Sequence, residues 1–379
     1  MTLKHNFLLD PHIRFLNHGS FGACPRPGFA AYQNWQRELE RQPVEFLGRR
    51  ALALLAEARS KLGRYLGCQP ENLVYFPNPT IAINMVARSL DLSPGDEILT
   101  SDHEYGAMDR TWRFICKKTG AGYIQQPVPL PLGGQADFVE AFWQGVTPRT
   151  RVIFISHITS PTALIFPVEA ICRRAREAGI ISIIDGAHAP GQMAVNLEEI
   201  GADIYTGACH KWMLSPKGAS FLYARPEVQG WLDPLVVSWG YDADPGFGSG
   251  HRFIDYHEWQ GTRDLSAFLA VPAAIQFMAD NHWDQVRAAC HQLAVETRQK
   301  IDQFTGLEPI CTEDWLGQMF AARLPPVEIQ SLKERLYAEH HIEVPIMEWQ
   351  GQPFMRVSIQ AYNTQEDVEA LMEGLAALL

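Results

Sequence analysis

The sequence is poor in the features that would tie it to nucleic acid, a membrane or an oxidising compartment. Positive charge is in deficit: 32 Lys+Arg against 43 Asp+Glu leave a net charge of −11 over 379 residues. Polyanions and anionic bilayers reward the opposite sign, so neither is expected as a partner. There is no run of about 18 apolar residues, so no membrane-spanning helix is expected. The opening stretch MTLKHNFLLDPHIRF has neither a long apolar core nor a small-residue cleavage site, so no secretory signal is expected. Cys24, Cys68, Cys116, Cys172, Cys209, Cys290 and Cys311 are odd in number, scattered and free of CxxC spacing. That argues against a disulfide framework or a structural zinc site and makes a reducing cytoplasm the expected location. Internal repeats and low-complexity linkers are also missing. What remains is 46% hydrophobic and 20% charged, an ordinary globular composition whose length suits two domains. A small anionic substrate stays possible, since one local arginine can bind a carboxylate.

Helical spacing of apolar residues marks GFAAYQNWQRELERQ and ALALLAEARSKLGRYLG within residues 27–66. Beyond them strand and helix alternate. DEILTSD, RVIFISH, IISIIDGAH, ADIYTGA and ASFLYAR read as strands. YGAMDRTWRFICKKTG reads as a helix ending at Gly120, and PVEAICRRAREAG as one bounded by Pro167 and Gly179. Unbroken β-branched runs such as VIFIS and IISIID suit strands covered on both faces, and the alternation predicts a mainly parallel sheet with crossover helices. After about residue 265 the texture changes. Two long helices, SAFLAVPAAIQFMADN and WDQVRAACHQLAVETRQKIDQF, precede a strand MFAARLP, another helix, FMRVSIQAY and a final helix. The expected organisation is α/β: a large domain over 20–262 with a mainly parallel mixed sheet, and a smaller α+β domain formed by 1–19 and 263–379.

In an open α/β sheet ligands sit outside the carboxyl ends of the strands. IISIIDGAH ends in Asp185 and His188, and Lys211 stands just beyond the next strand, in GACHKWML. Taken singly, each has an ordinary structural explanation. Asp185 suits a turn or helix N-cap, His188 a hydrogen-bonded core or surface histidine, and Lys211 a snorkelling surface lysine. Together they point to pyridoxal 5'-phosphate (PLP). Its aldehyde needs a lysine for a Schiff base, and its pyridine nitrogen needs a carboxylate to keep it protonated. FPNPTIAIN can supply a phosphate cradle, with Thr80 opening a helix whose free N–H groups meet the anion; a plain N-cap turn is the alternative.

The ordered set NHGSFGACP, NPTIAIN, DHEYGA, HITSPTALIFPV, DGAHAPG, GACHKW, WQGTRD and RVSIQAYNT covers residues 16–364. It resembles the class V aminotransferase family of PLP enzymes of fold type I, and within it the isopenicillin N epimerase-like branch, related to cysteine desulfurases and cysteine C–S lyases. The resemblance implies roles position by position. Lys211 is the Schiff-base lysine, Asp185 pairs with the pyridine nitrogen, and His188 lies near the cofactor's 3-oxygen. Tyr105 stacks on the cofactor face. Asn78, Pro79 and Thr80 cover the phosphate through N–H and hydroxyl groups, and His210 reaches it too. Thr262 matches a phosphate contact donated by the neighbouring subunit, which implies a homodimer with shared active sites. Arg356 binds the substrate carboxylate, while Asn17 and His18 line the substrate side. Ser160 stands where the family often has Asn. The stretch AEHHIEVPIMEWQGQPFMR lacks the nucleophilic cysteine that desulfurases carry there.

The resemblance implies chemistry at the α-carbon of a small-molecule amino acid through an external aldimine and a quinonoid. Epimerisation and cysteine-type C–S β-lysis are the leading outcomes, and transamination is the third. Epimerisation needs a second acid/base, for which Tyr105 and His18 are the candidates. A cofactor-free scaffold is the alternative from another class, and the intact lysine and acid speak against it.

Overall fold

The computed structural model describes residues 2–243 and 248–379. Its centre is a seven-stranded sheet: β1 (Leu73–Phe76), β2 (Glu97–Ser101), β3 (Gly122–Gln126), β4 (Thr150–Ser156), β5 (Ile181–Asp185), β6 (Ile204–Ala208) and β7 (Ser220–Ala224). The spatial order is β1-β7-β6-β5-β4-β2-β3, and only β7 runs against the others. The hydrophobic run VIFIS is buried throughout and ISIID is buried from Ser182 on, as expected of strands with helices on both faces. Register pairs Ser156 with Asp185 and Asp185 with Thr206, which brings the carboxyl ends of β4, β5 and β6 level.

Helices α1 (Arg26–Arg41) and α2 (Ala51–Leu66) precede the sheet, and α3 (Pro79–Ser89), α4 (Gly106–Thr119) and α5 (Val168–Glu177) cross over it. The break between α1 and α2 follows from Pro43, which has no N–H and forces Gln42 out of helical geometry to φ −154°, ψ 80°. Pro272 likewise divides the long helix expected over SAFLAVPAAIQFMADN into Ser266–Leu269 and Val271–Asp280. The second long helix forms whole, as α6 (Trp283–Thr305). A smaller antiparallel sheet holds β8 (Met319–Arg323), β9 (Ile346–Trp349) and β10 (Gln352–Ser358), in the order β9-β10-β8. It is accompanied by α7 (Ile329–His340) and α8 (Gln365–Leu378). Arg14–Phe15 pairs in parallel with Ile342–Glu343 as a separate two-stranded sheet, tying the N-terminal segment to the stretch that follows α7.

Candidate active site

The carboxyl ends of β1, β2, β4, β5 and β6 open onto one cavity of about 240 Å³. Asn78, Pro79, Thr80, Tyr105, Ser156, Ser160, Asp185, His188, His210 and Lys211 line it, together with Ser20, Phe21 and Ala187. Ten residues spread over 134 positions of sequence thus converge because their strand ends are level. Thr262 lies elsewhere, exposed in a separate cavity with Arg49 and Asp255.

Lys211 Nζ lies 3.2 Å from His188 Nε2, and Trp212 Nε1 donates to His188 Nδ1 at 3.2 Å. An indole N–H only donates. His188 Nδ1 is therefore an acceptor, and its single proton sits on Nε2, facing the lysine. Burial holds the His188 imidazole well below its ordinary range, with Lys211 and Arg356 adding to the effect. Burial, helped by Arg356 and opposed by Asp185, pushes the Lys211 amine down to about 8. The free base is the form that attacks an aldehyde, and it grows as pH rises through that value. Apo-protein mixed with PLP across a pH series should therefore attach cofactor with a half-maximal rate near pH 8. A midpoint at the ordinary lysine value of about 10.4 would contradict the burial argument.

The N-terminal segment packs against the same turn. A Cβ on Gly22, at φ +71°, would sit 2.1 Å from the His210 carbonyl, and one on Gly191, at φ +92°, 2.2 Å from the Trp212 carbonyl. Only glycine permits these approaches. His18 differs from its expected place on the substrate side. Its Nε2–H donates to the Lys211 carbonyl at 3.1 Å, and its Nδ1 accepts from the Tyr362 hydroxyl at 2.9 Å. Both ring nitrogens are engaged, the side chain is fully buried, and desolvation pushes it down to about 3. His18 thus braces the lysine backbone as a neutral imidazole.

Asp185 accepts one bond, from the Ala187 N–H at 2.9 Å, and burial raises its carboxyl above the usual range. Beside it lies a second buried acid. Glu104 accepts from the Ser101 and Ser156 hydroxyls, each at 2.6 Å, and burial pushes it up to about 8. At the start of α3, the Asn78 side chain caps the Ile81 N–H at 2.9 Å. Pro79 has no N–H to offer, so on this turn the N–H donor left for an anion is that of Thr80. His210 donates Nδ1–H to the Ala219 carbonyl at 2.9 Å, which leaves Nε2 as a lone pair in the neutral ring. Tyr105 is 47% exposed and makes no cap to α4.

Arg356 is 5% exposed. Its Nη1 donates to the Ser160 carbonyl at 2.5 Å and hydroxyl at 3.3 Å, and its Nη2 donates to Ser20 Oγ at 3.1 Å. Its Nε has no partner, and no carboxylate of the described residues pairs with it. Ser20 in turn donates to Asn17 Oδ1 at 2.5 Å, and Asn17 Nδ2 donates to Glu343 at 2.8 Å. Asn17 therefore holds Ser20 and is not itself in the cavity wall. Cys24 lines another cavity beside Lys217, and burial pushes its thiol up to about 12. Sequence reasoning missed Ser20, Glu104 and Trp212. Ser20 and Glu104 lie inside the quoted motifs NHGSFGACP and DHEYGA, but no spacing rule marks their partners.

The donor set fits PLP. A half-buried lysine without an acid ion pair suits imine chemistry, an acid with one uncommitted oxygen suits a protonated ring nitrogen, and a free helix-N-terminal N–H suits phosphate. The sequence profile of the aminotransferase class-V family matches residues 30–371. Isopenicillin N epimerase of Amycolatopsis lactamdurans is 39% identical, over 98% of this chain and 96% of its own length. The probable chloroplastic L-cysteine desulfhydrase of Arabidopsis thaliana is 26% identical, over 98% of this chain and 84% of its own. A solved structure of C-DES with glycine covalently linked to its PLP cofactor superposes with a TM-score of 0.88 at 20% identity, covering 100% of both chains.

Proposed function

From the premise that this chain belongs to the class V aminotransferase family of PLP-dependent enzymes, we propose that it epimerises an amino acid or peptide substrate at its α-carbon. The observation that carries this reading is the 39% identity to an isopenicillin N epimerase over nearly the whole of both chains. When bound, PLP supplies a ring that withdraws electrons from the α-carbon of an amino acid joined to its aldehyde carbon. Lys211 Nζ holds the cofactor and then takes the α-proton. Asp185 keeps the ring nitrogen protonated. His188, whose Nε2–H points toward Lys211 Nζ, would donate to the cofactor's 3-oxygen. The Thr80 N–H and hydroxyl bind the phosphate with Asn78, and His210 joins them if its Nε2 gains a proton beside the anion. Arg356, buried without a counter-ion, holds the substrate carboxylate, and Ser20 and Ser160 orient its fork.

Tyr105 is the second acid/base in this reading. Lys211 follows β6 and Tyr105 follows β2, on either side of the strand that carries Asp185, and both line the one cavity. The two side chains would therefore approach a bound cofactor from different sides. His18, with both nitrogens engaged, is not available for this. Cysteine C–S β-lysis is the second reading, and the similarity to a probable L-cysteine desulfhydrase favours it. No described cysteine lines the cavity, which counts against persulfide formation. Incubation with L-amino acids, short peptides with a free α-amino group and S-substituted cysteines decides between them. Inversion at the α-carbon without pyruvate or sulfide is the expected result; pyruvate and a sulfur product from a cysteine substrate would replace epimerisation by lysis.

Two features support a homodimer with shared sites. Thr262 is exposed away from its own Lys211 cavity, and Leu235, Val236 and Val237 are apolar yet exposed, as at contact surfaces. In an isologous dimer each Thr262 would reach the partner's phosphate site. Thr262→Ala should weaken PLP retention. In a mixture with Lys211→Ala subunits, the heterodimer site built on intact Lys211 receives its threonine from the other protomer and should bind PLP normally. A monomer by light scattering with full PLP stoichiometry would overturn the dimer.

A further inference from the structure

We infer that the tip of the β9–β10 hairpin, Trp349 and Gln350, is a positioning clamp that fixes Arg356 by fastening the hairpin to the Asp102–His103 turn beside Tyr105. The inference rests on Arg356 as the carboxylate-binding residue proposed above.

Arg356 lies on β10, four residues from Gln352, which pairs with Trp349 at the tip. Four residues of strand span about 14 Å, so the hairpin reaches from the Ser20–Ser160 wall of the cavity to the loop after β2. Three contacts hold the tip there. The Trp349 and His103 rings lie 4.4 Å apart, Trp349 Nε1 donates to the Asp102 carbonyl at 3.4 Å, and Gln350 Nε2 donates to Asp102 Oδ2 at 2.6 Å.

The receiving side is itself rigid. Asp102 Oδ1 accepts from the Val128 N–H at 2.9 Å. Fully buried His103 donates Nε2–H to the Val128 carbonyl at 2.8 Å and accepts from the Thr162 hydroxyl at 2.7 Å. Thr162 bonds Thr159 at 2.8 Å, and Ser160, next in the chain, takes the guanidinium of Arg356. The contacts therefore close a ring: Arg356 to Ser160, through Thr159 and Thr162 to His103, across to Trp349, and back along the hairpin.

The turn supports the same reading. Gln350 at φ +48° and Gly351 at φ +76° give it two consecutive left-handed residues, a geometry that favours Asn or Gly at the first. A glutamine there is strained, and the amide that justifies it is the one bound to Asp102. Neither Trp349 nor Gln350 lines the cavity, so both act through Arg356.

The test uses the PLP-loaded protein and three variants. Trp349→Ala should raise the Kd for carboxylate-bearing amino acids, read from the change in cofactor absorbance, by about threefold to tenfold, the worth of one aromatic pair. It should also speed hydrogen exchange across 346–356 and leave PLP stoichiometry unchanged. Trp349→Phe, which keeps a ring, should restore most of the affinity. Gln350→Gly suits the turn better but removes the amide, so it should weaken amino-acid binding even though the hairpin backbone is relaxed. It serves as the test if Trp349→Ala fails to fold. Unchanged Kd and exchange in the alanine variant, or unchanged Kd in Gln350→Gly, overturns the clamp. If the wild-type protein binds no amino acid, the proposed function falls, and the exchange data alone judge the clamp.

Discussion

Lys211→Ala should leave a folded protein with no measurable turnover. The substitution removes a half-buried amine that lies within hydrogen-bond distance of His188 Nε2, at 3.2 Å. Leaving that N–H unpaired costs about 1–3 kcal/mol, a tolerable loss of stability. The chemical loss is of another order. In the proposed chemistry Lys211 both attaches the cofactor and moves the α-proton, and among the described residues no other lysine lines the cavity. Proton transfer alone contributes about 10²–10⁴ in rate, so turnover at saturating PLP should fall by at least that much. Activity within tenfold of wild type would remove Lys211 from the reaction.

Asp185→Asn has the next largest effect and separates charge from shape. An asparagine oxygen can still accept the Ala187 N–H, so the strand end keeps its turn. A neutral amide cannot hold a proton on a pyridine nitrogen. PLP stoichiometry should stay near wild type while kcat falls about 100-fold or more, the scale on which a lost electrostatic partner is felt in a dry site. Near-normal turnover would make Asp185 a structural turn residue.

Much of this arrangement was legible in the sequence because it depends on local pattern. VIFIS and IISIID announce strands buried on both faces, and an acid at one strand end with a lysine beyond the next names a shared crevice before any contact is known. β3 was passed over: GYIQQ is half-buried at the sheet edge and carries no β-branched run. Pro272 split a helix that apolar spacing had joined, because its missing N–H outweighs the pattern around it. The supporting shell was illegible for a different reason. Ser20 meets Arg356 across 336 residues, and His18 meets Tyr362 across 344. No local spacing encodes such pairs, so His18 read as a substrate residue until its two nitrogens were seen to be engaged. Glu104 was hidden likewise, since a glutamate beside Tyr105 reads as solvated until β4 brings Ser156 against it.

Lys211 is the proposed point of cofactor attachment. Borohydride reduction of the PLP-loaded protein, followed by proteolysis and mass mapping, tests it directly. The predicted result is one reduced phosphopyridoxyl group per chain, on the peptide containing His210, Lys211 and Trp212. A label on Lys217 or on any peptide without Lys211 would contradict it.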